Sequence, residues 1–158
     1  MKILFICHAN LCRSFMAQEF LKQLLPSATV FSRGLYVDPE LSVPQKIKDF
    51  LALYHIPFVS HTPTQLCEND LQAADYVFCM EPEHLNSLLD KYAQYTDKLW
   101  LLNEFAFGKH TALEDPISLS GRAFTKQAEQ LKKAVENCAK RLASEKQAQN
   151  QYNKINLP

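Results

Sequence analysis

The hydrophobic pattern changes period repeatedly along the chain. Residues 2–7, KILFIC, are a short apolar run without helical spacing, the pattern of a strand buried on both faces. Ala17, Phe20, Leu21 and Leu24 then recur at helical intervals, and Pro26 stops that helix. ATVFSR (28–33) reads as a second strand ended by Gly34. Ser42 is placed to cap a helix with Pro44 in its first turn and Ile47, Phe50, Leu51 and Tyr54 along one stripe. ADYVFCM (74–80) predicts a third strand, and a helix with Leu85, Leu88, Leu89 and Tyr92 follows Pro82. KLWLL (98–102) predicts a fourth. Beyond a loop holding LEDPIS, Phe124, Ala128, Leu131, Val135, Cys138 and Leu142 share one face of a last helix. From Ser144 the chain turns polar and is expected to fray.

Strands alternating with helices predict an α/β fold: a four-stranded parallel sheet with helices on both faces, three layers in all. No repeat or linker interrupts it, so residues 1–143 read as one domain and 144–158 as a polar C-terminal tail. Sheets of this kind carry their sites at the carboxyl ends of strands.

Composition narrows the functional classes. Of 158 residues, 47% are hydrophobic, which suits a single packed core. Lys+Arg and Asp+Glu number 17 each, and a net charge of zero argues against nucleic acid held by its phosphate backbone. No apolar run approaches a membrane span, and Ile3–Ile6 is too short for a signal sequence. The cytoplasm is the expected compartment, although an unconventional export signal would escape this criterion. Cys7, Cys12, Cys67, Cys79 and Cys138 are odd in number and include no C-x-x-C pair, so neither a disulfide framework nor a zinc site is expected. No metal or cofactor is called for.

The chemistry concentrates between the first strand and the first helix. Cys7 ends the strand, and the helix starts near Ser14. The short connection, a phosphate-binding loop by this reading, aims backbone N–H groups inward, a geometry suited to an anion. The helix dipole and the Arg13 charge favour the thiolate, the nucleophilic form. Arg13 offers a planar fork that matches two phosphate oxygens. Only three glycines occur and no G-x-x-x-x-G-K-[ST] exists, so this is not a nucleotide-binding Walker loop. A proton donor for the leaving group is also needed, and Asp115, in EDP after the fourth strand, is the candidate. The alternative is that Asp115-Pro116 merely starts a turn.

These residues resemble the low-molecular-weight protein tyrosine phosphatases. That family's signature, C-x-G-N-x-C-R-S-P followed by a late D-P, is matched at Cys7, Asn10, Cys12, Arg13, Ser14, Asp115 and Pro116. Weaker echoes are SRG (32–34) and ADYVFCMEPEHL (74–85), so the likeness covers about residues 1–143. It implies that Cys7 attacks phosphorus and forms a phosphocysteine. Arg13 and the N–H groups of His8, Ala9, Asn10, Leu11, Cys12 and Arg13 hold the phosphoryl oxygens. Asp115 protonates the phenolic oxygen and then activates water. Asn10 and Ser14 brace the loop, with the Ser14 hydroxyl also bonding the thiolate. The implied substrate is a phosphotyrosine protein or a small aryl phosphate, with no metal. Cys12 is either a reversible disulfide partner for Cys7 or packing beneath the loop.

Departures from the signature are Ala9 for glycine, with strain expected if that position needs positive φ, and Phe15 for proline. Arg33 replaces a small residue and is expected to add positive charge near the pocket. Ile117 stands where relatives often carry tyrosine. Leu11, Leu35, Tyr36 and Ile117 are left as candidate walls for the substrate ring, with Tyr36 also readable as an ordinary surface aromatic. His8 either tunes the pH optimum or faces solvent. His55, His61, His84 and His110 show no ligand spacing and are expected on the surface or on helix faces. Two rivals stand beside the phosphatase: a thioredoxin-coupled arsenate reductase of the same fold, which needs two further relay cysteines, and a non-catalytic phosphotyrosine-binding protein. Oligomeric state is not legible.

Overall fold

The computed structural model describes residues 1–156, and side chains through residue 153. Strands β1 (Lys2–Cys7), β2 (Thr29–Gly34), β3 (Tyr76–Cys79) and β4 (Leu99–Leu101) form one sheet of order β2-β1-β3-β4, every pair parallel. Helices α1 (Arg13–Leu24), α2 (Gln45–Ala52), α3 (Glu68–Ala73), α4 (Pro82–Lys91), α5 (Leu102–Phe107) and α6 (Gly121–Asn156) connect and follow them.

Alternation along β1 divides the core. Ile3, Phe5 and Cys7 face a cluster with Met16, Phe20 and Leu21 of α1 and Ala128, Leu131 and Val135 of α6. Leu4 and Ile6 face the other side, with Leu71 of α3 and Leu85 and Leu88 of α4. A strand apolar at every position is therefore required by helices on both faces. Register aligns Cys7 with Gly34 and Ile6 with Cys79, which brings the ends of three strands to one edge.

The structure corrects three details. Ser42 does not cap α2; the helix starts at Gln45 behind an extended Pro44, with no side-chain cap. α3 and α5, six residues each, lack the length to show a helical period. The polar tail does not fray at Ser144: α6 continues to Asn156 without a break at 143. Its residues are mostly good helix formers, with no glycine or proline between Gly121 and Pro158. Arg141 pairs with Glu145 at 2.9 Å, and the Tyr76 hydroxyl donates to Glu145 at 2.8 Å. No helix among the described residues is long and apolar enough to cross a membrane.

Candidate active site

Residues 8–12 carry the chain from the end of β1 into α1 with the thiol buried beneath the turn. Cys7 Sγ lies 3.0 Å from Ser14 Oγ. Asn10 Nδ2 already donates to Ser14 Oγ at 3.0 Å, so the hydroxyl proton is free for the sulfur. Asn10 is the centre of this brace. It is fully buried and left-handed (φ 58°). It also donates to Ser32 Oγ (2.9 Å), accepts from the Thr64 N–H (2.9 Å), and places its carbonyl 2.7 Å from His61 Nε2. Ser32 passes the network on to Gln18 Oε1 at 2.9 Å. Positive φ thus falls on Asn10, a residue that tolerates it, and not on Ala9. The strain considered for Ala9 does not arise.

Gly34 sits directly behind the loop. A Cβ there would lie 3.0 Å from Ala9 C and Asn10 N, and 2.6 Å from Val37 Cγ2. Leu35 and Tyr36 donate their N–H groups to the carbonyls of Cys7 (3.0 Å) and His8 (2.9 Å). The end of β2 is therefore the loop's second wall.

Arg13 is 2% exposed. Its Nη1 donates to Glu81 and to the Leu113 carbonyl (2.9 Å), and its Nη2 to Asp115 Oδ2 (2.8 Å). Burial opposes the charge, but Asp115, Cys7 and Glu81 together hold the guanidinium above its usual pKa. Glu81 is held below the usual carboxylate value: burial raises it, and the bond to Arg13 outweighs that. Asp115 Oδ1 meanwhile accepts the Ile117 N–H at 3.0 Å and caps the 3-10 turn Pro116–Ser118. The turn-starting reading of Asp115 therefore holds through Oδ1, while Oδ2 faces Arg13.

A thiol, a guanidinium and two carboxylates meet beside the N-terminus of α1, an arrangement whose chemistry suits an anion held next to a nucleophile. The sequence profile of the low molecular weight phosphotyrosine protein phosphatases matches residues 2–148. The chain belongs to this family. The family is one of cysteine-dependent phosphatases. The phosphatase is similar to relatives of two kinds. A protein-arginine-phosphatase from Bacillus subtilis is 27% identical over 150 residues, covering 92% of this chain and 99% of that relative. The low molecular weight protein-tyrosine-phosphatase PtpB of Staphylococcus epidermidis is 29% identical over 117 residues, 74% of this chain and 81% of that one. Solved structures divide the same way. YwlE arginine phosphatase from Geobacillus stearothermophilus superposes with a TM-score of 0.86 at 25% identity, covering 93% of this chain and 96% of that one. A low molecular weight protein tyrosine phosphatase from T. tengcongensis gives 0.80 at 29%, covering 87% and 96%.

Several side chains of the phosphatase lie elsewhere than the sequence suggested. Leu11 is only 4% exposed, so it is not an open wall of a pocket. Arg33 pairs with Asp70 at 2.9 Å and stacks over Phe31, so its charge is spent away from the loop. Phe15 is buried, with the His61 ring 4.2 Å away and Phe58 at 5.9 Å. Ile117 stays partly exposed (37%) and Tyr36 exposed (66%), with its ring 5.0 Å from that of His8, whereas half-buried Leu35 packs against the core cluster of Leu4, Ile6 and Leu71 on the other face of the sheet. Cys12 is buried, and its thiol is pushed far up by that burial and by the neighbouring charges of Asp115 and Cys7. Cys79 is buried inside β3, while Cys67 is exposed at the head of α3. Among the described residues no group of three His, Cys, Asp or Glu is arranged to hold a metal ion.

The residues missed by sequence reasoning are Glu81, Gln18 and His61, and the Leu113 carbonyl. Glu81 had a signal, an acid at the carboxyl end of a central strand. His61 had none, since it meets Asn10 across 51 positions. It is not a simple surface histidine, and burial holds its pKa down. His84 likewise is buried, with Nδ1 unpartnered and its pKa lowered by burial.

Proposed function

We propose that the phosphatase hydrolyses phosphotyrosine, in proteins or as small aryl phosphates, through a phosphocysteine. Cys7 Sγ attacks phosphorus, an S–P bond forms as the P–O(aryl) bond breaks, and protonated Asp115 gives its proton to the departing phenolic oxygen. Water then attacks phosphorus, Asp115 takes its proton, and the S–P bond breaks to release phosphate. Arg13 and the loop N–H groups hold the three phosphoryl oxygens as charge shifts. The observation that carries this reading is that Arg13, one residue from the thiol's Ser14 partner, holds Asp115 at 2.8 Å across 102 positions.

Tyrosine is favoured over arginine by the rim. Ile117 and the His8–Tyr36 ring pair suit an aryl group. A reducing compartment such as the cytoplasm suits a nucleophile of this kind.

The test is kcat/KM on matched phosphotyrosine and phosphoarginine peptides, with Cys7→Ser as control. We expect preference for phosphotyrosine and loss of both activities in Cys7→Ser. Preference for phosphoarginine would replace the substrate assignment; turnover by Cys7→Ser would end the covalent one.

A further inference from the structure

The segment that carries Asp115 is held unevenly. Upstream of the acid, the Leu113 N–H donates to the Met80 carbonyl at 2.8 Å, Asn103 Nδ2 donates to the carbonyls of Thr111 (3.1 Å) and Ala112 (3.2 Å), and Gln127 donates to Glu114 at 2.9 Å. Downstream, residues 116–119 make internal bonds: Ile117 N–H to Asp115 Oδ1 and Leu119 N–H to the Pro116 carbonyl at 3.1 Å. Among the described residues, the hydrogen bonds that tie 116–119 to another element come from one side chain, Lys46 in the first turn of α2. Its Nζ donates to the carbonyl of Ile117 and, at 2.8 Å, to that of Leu119, and lies 5.4 Å from the centroid of the Phe124 ring in α6.

We propose that Lys46 is a positioning residue for the general acid: a clamp on the Pro116–Ser118 turn that fixes where the Asp115 carboxyl points. The inference rests on the reading of Asp115 as the acid. The turn and the carboxylate are one unit, because Asp115 Oδ1 caps the turn through Ile117 N–H. Lys46 grips the same segment through the carbonyls of Ile117 and Leu119. An ammonium suits this task, having three donors and no acceptor, so it bonds two carbonyls at once. The ring beneath it adds a cation–π contact and limits where Nζ can go. Released from the clamp, the turn keeps its internal bonds but has no polar tie to α2. The acid then samples orientations in which its proton no longer faces the leaving oxygen, and displacement of a catalytic group by about 1 Å is enough to matter.

The experiment reads the leaving-group dependence of kcat/KM across aryl phosphates, from acidic nitrophenols to phenol and tyrosine. Good leaving groups need little protonation, so an acid-positioning defect grows with leaving-group pKa. For Lys46→Met we expect a loss of about tenfold with phenyl phosphate, a share of the roughly 10²–10⁴ that general acid–base catalysis supplies, and a steeper dependence across the series. Lys46→Arg, which keeps two donors and the ring contact, should restore the slope. On an Asp115→Asn background, Lys46→Met should add no further loss, since the group it positions is gone. Urea unfolding of each variant separates misfolding from mispositioning; Lys46→Gln, which keeps one donor pair, takes the place of a methionine variant that fails to fold. Equal proportional loss for every leaving group, or a loss that multiplies on the Asp115→Asn background, overturns the proposal and makes Lys46 a general source of positive charge. A wild-type slope in Asp115→Asn alone is a different result: it removes the acid assignment, and this proposal with it.

Discussion

Replacing Asn10 separates two things it does, and the sizes differ enough to measure. The side chain makes three hydrogen bonds, two buried ones to Ser14 Oγ and Ser32 Oγ and a partly buried one from the Thr64 N–H. Each contributes about 1 kcal/mol net, so losing all three costs roughly 3 kcal/mol in Asn10→Gly. Asn10→Ala loses the same bonds and must also hold φ at 58°. The left-handed conformation costs a non-glycine residue about 1–2 kcal/mol, while glycine's extra freedom in the unfolded chain costs about 0.5–1 kcal/mol. Alanine should therefore be the worse substitution, by about 0.5–1 kcal/mol on balance. Urea unfolding of wild type, Asn10→Gly and Asn10→Ala measures both quantities. A glycine variant within 1 kcal/mol of wild type would show the network to be worth little. An alanine variant more stable than the glycine one would mean the backbone at Asn10 is not left-handed in solution.

Gly34→Ala should lower kcat/KM about tenfold with a smaller effect on stability, because Val37 can swing from the new Cβ while the backbone of Ala9 and Asn10 must move; unchanged turnover would mean the loop gives way freely. Arg13→Lys should lose on the order of 10²–10³ in kcat/KM, since a lysine cannot reproduce the fork that now spans Glu81, Leu113 and Asp115; near-wild-type turnover would refute a bidentate role. His61 and His84 are both held below the ordinary histidine value of 6.5 by burial. Their unfolded forms take up protons as pH falls through that value and their folded forms resist, so stability is full above it and declines below. Unfolding free energies from about pH 7.5 to 5.5 should fall, and His84→Leu should flatten the decline; an unaltered slope would show that His84 titrates normally.

What the sequence made legible follows from how far apart the interacting residues lie. The strands and the longer helices announce themselves because a buried apolar run or stripe is a local requirement of a sheet covered on both faces. Cys7, Asn10, Arg13 and Ser14 are readable for a similar reason: one loop must supply thiol, brace and clamp within eight consecutive positions. Asp115 was reachable only through its proline and its place after the fourth strand. Glu81, His61 and Lys46 act across 68, 51 and 71 positions. Their side chains are ordinary where they stand, and only folding gives them a partner. Arg33 misled for the converse reason: its charge was visible, but Asp70, which absorbs it, was not. The polar run after Ser144 was read by polarity alone, although its helix propensity carries α6 onward to Asn156.

The bonds from Arg13 to Leu113 and Asp115 close loops of 100 and 102 positions. Closing a loop of that size carries an entropic penalty of about 4 kcal/mol from its length alone, and every strand pair in the sheet is parallel and non-local as well. During synthesis the carbonyl and carboxylate that orient the arginine follow the thiol by some hundred residues. For that interval the nascent chain carries a cysteine without the paired guanidinium and acid, able to react with oxidants but not equipped to turn over a phosphate ester. On the proposed mechanism the guanidinium and the acid are paired only once residues 113–115 have docked on the first loop, so turnover would report that these two distant segments have come together.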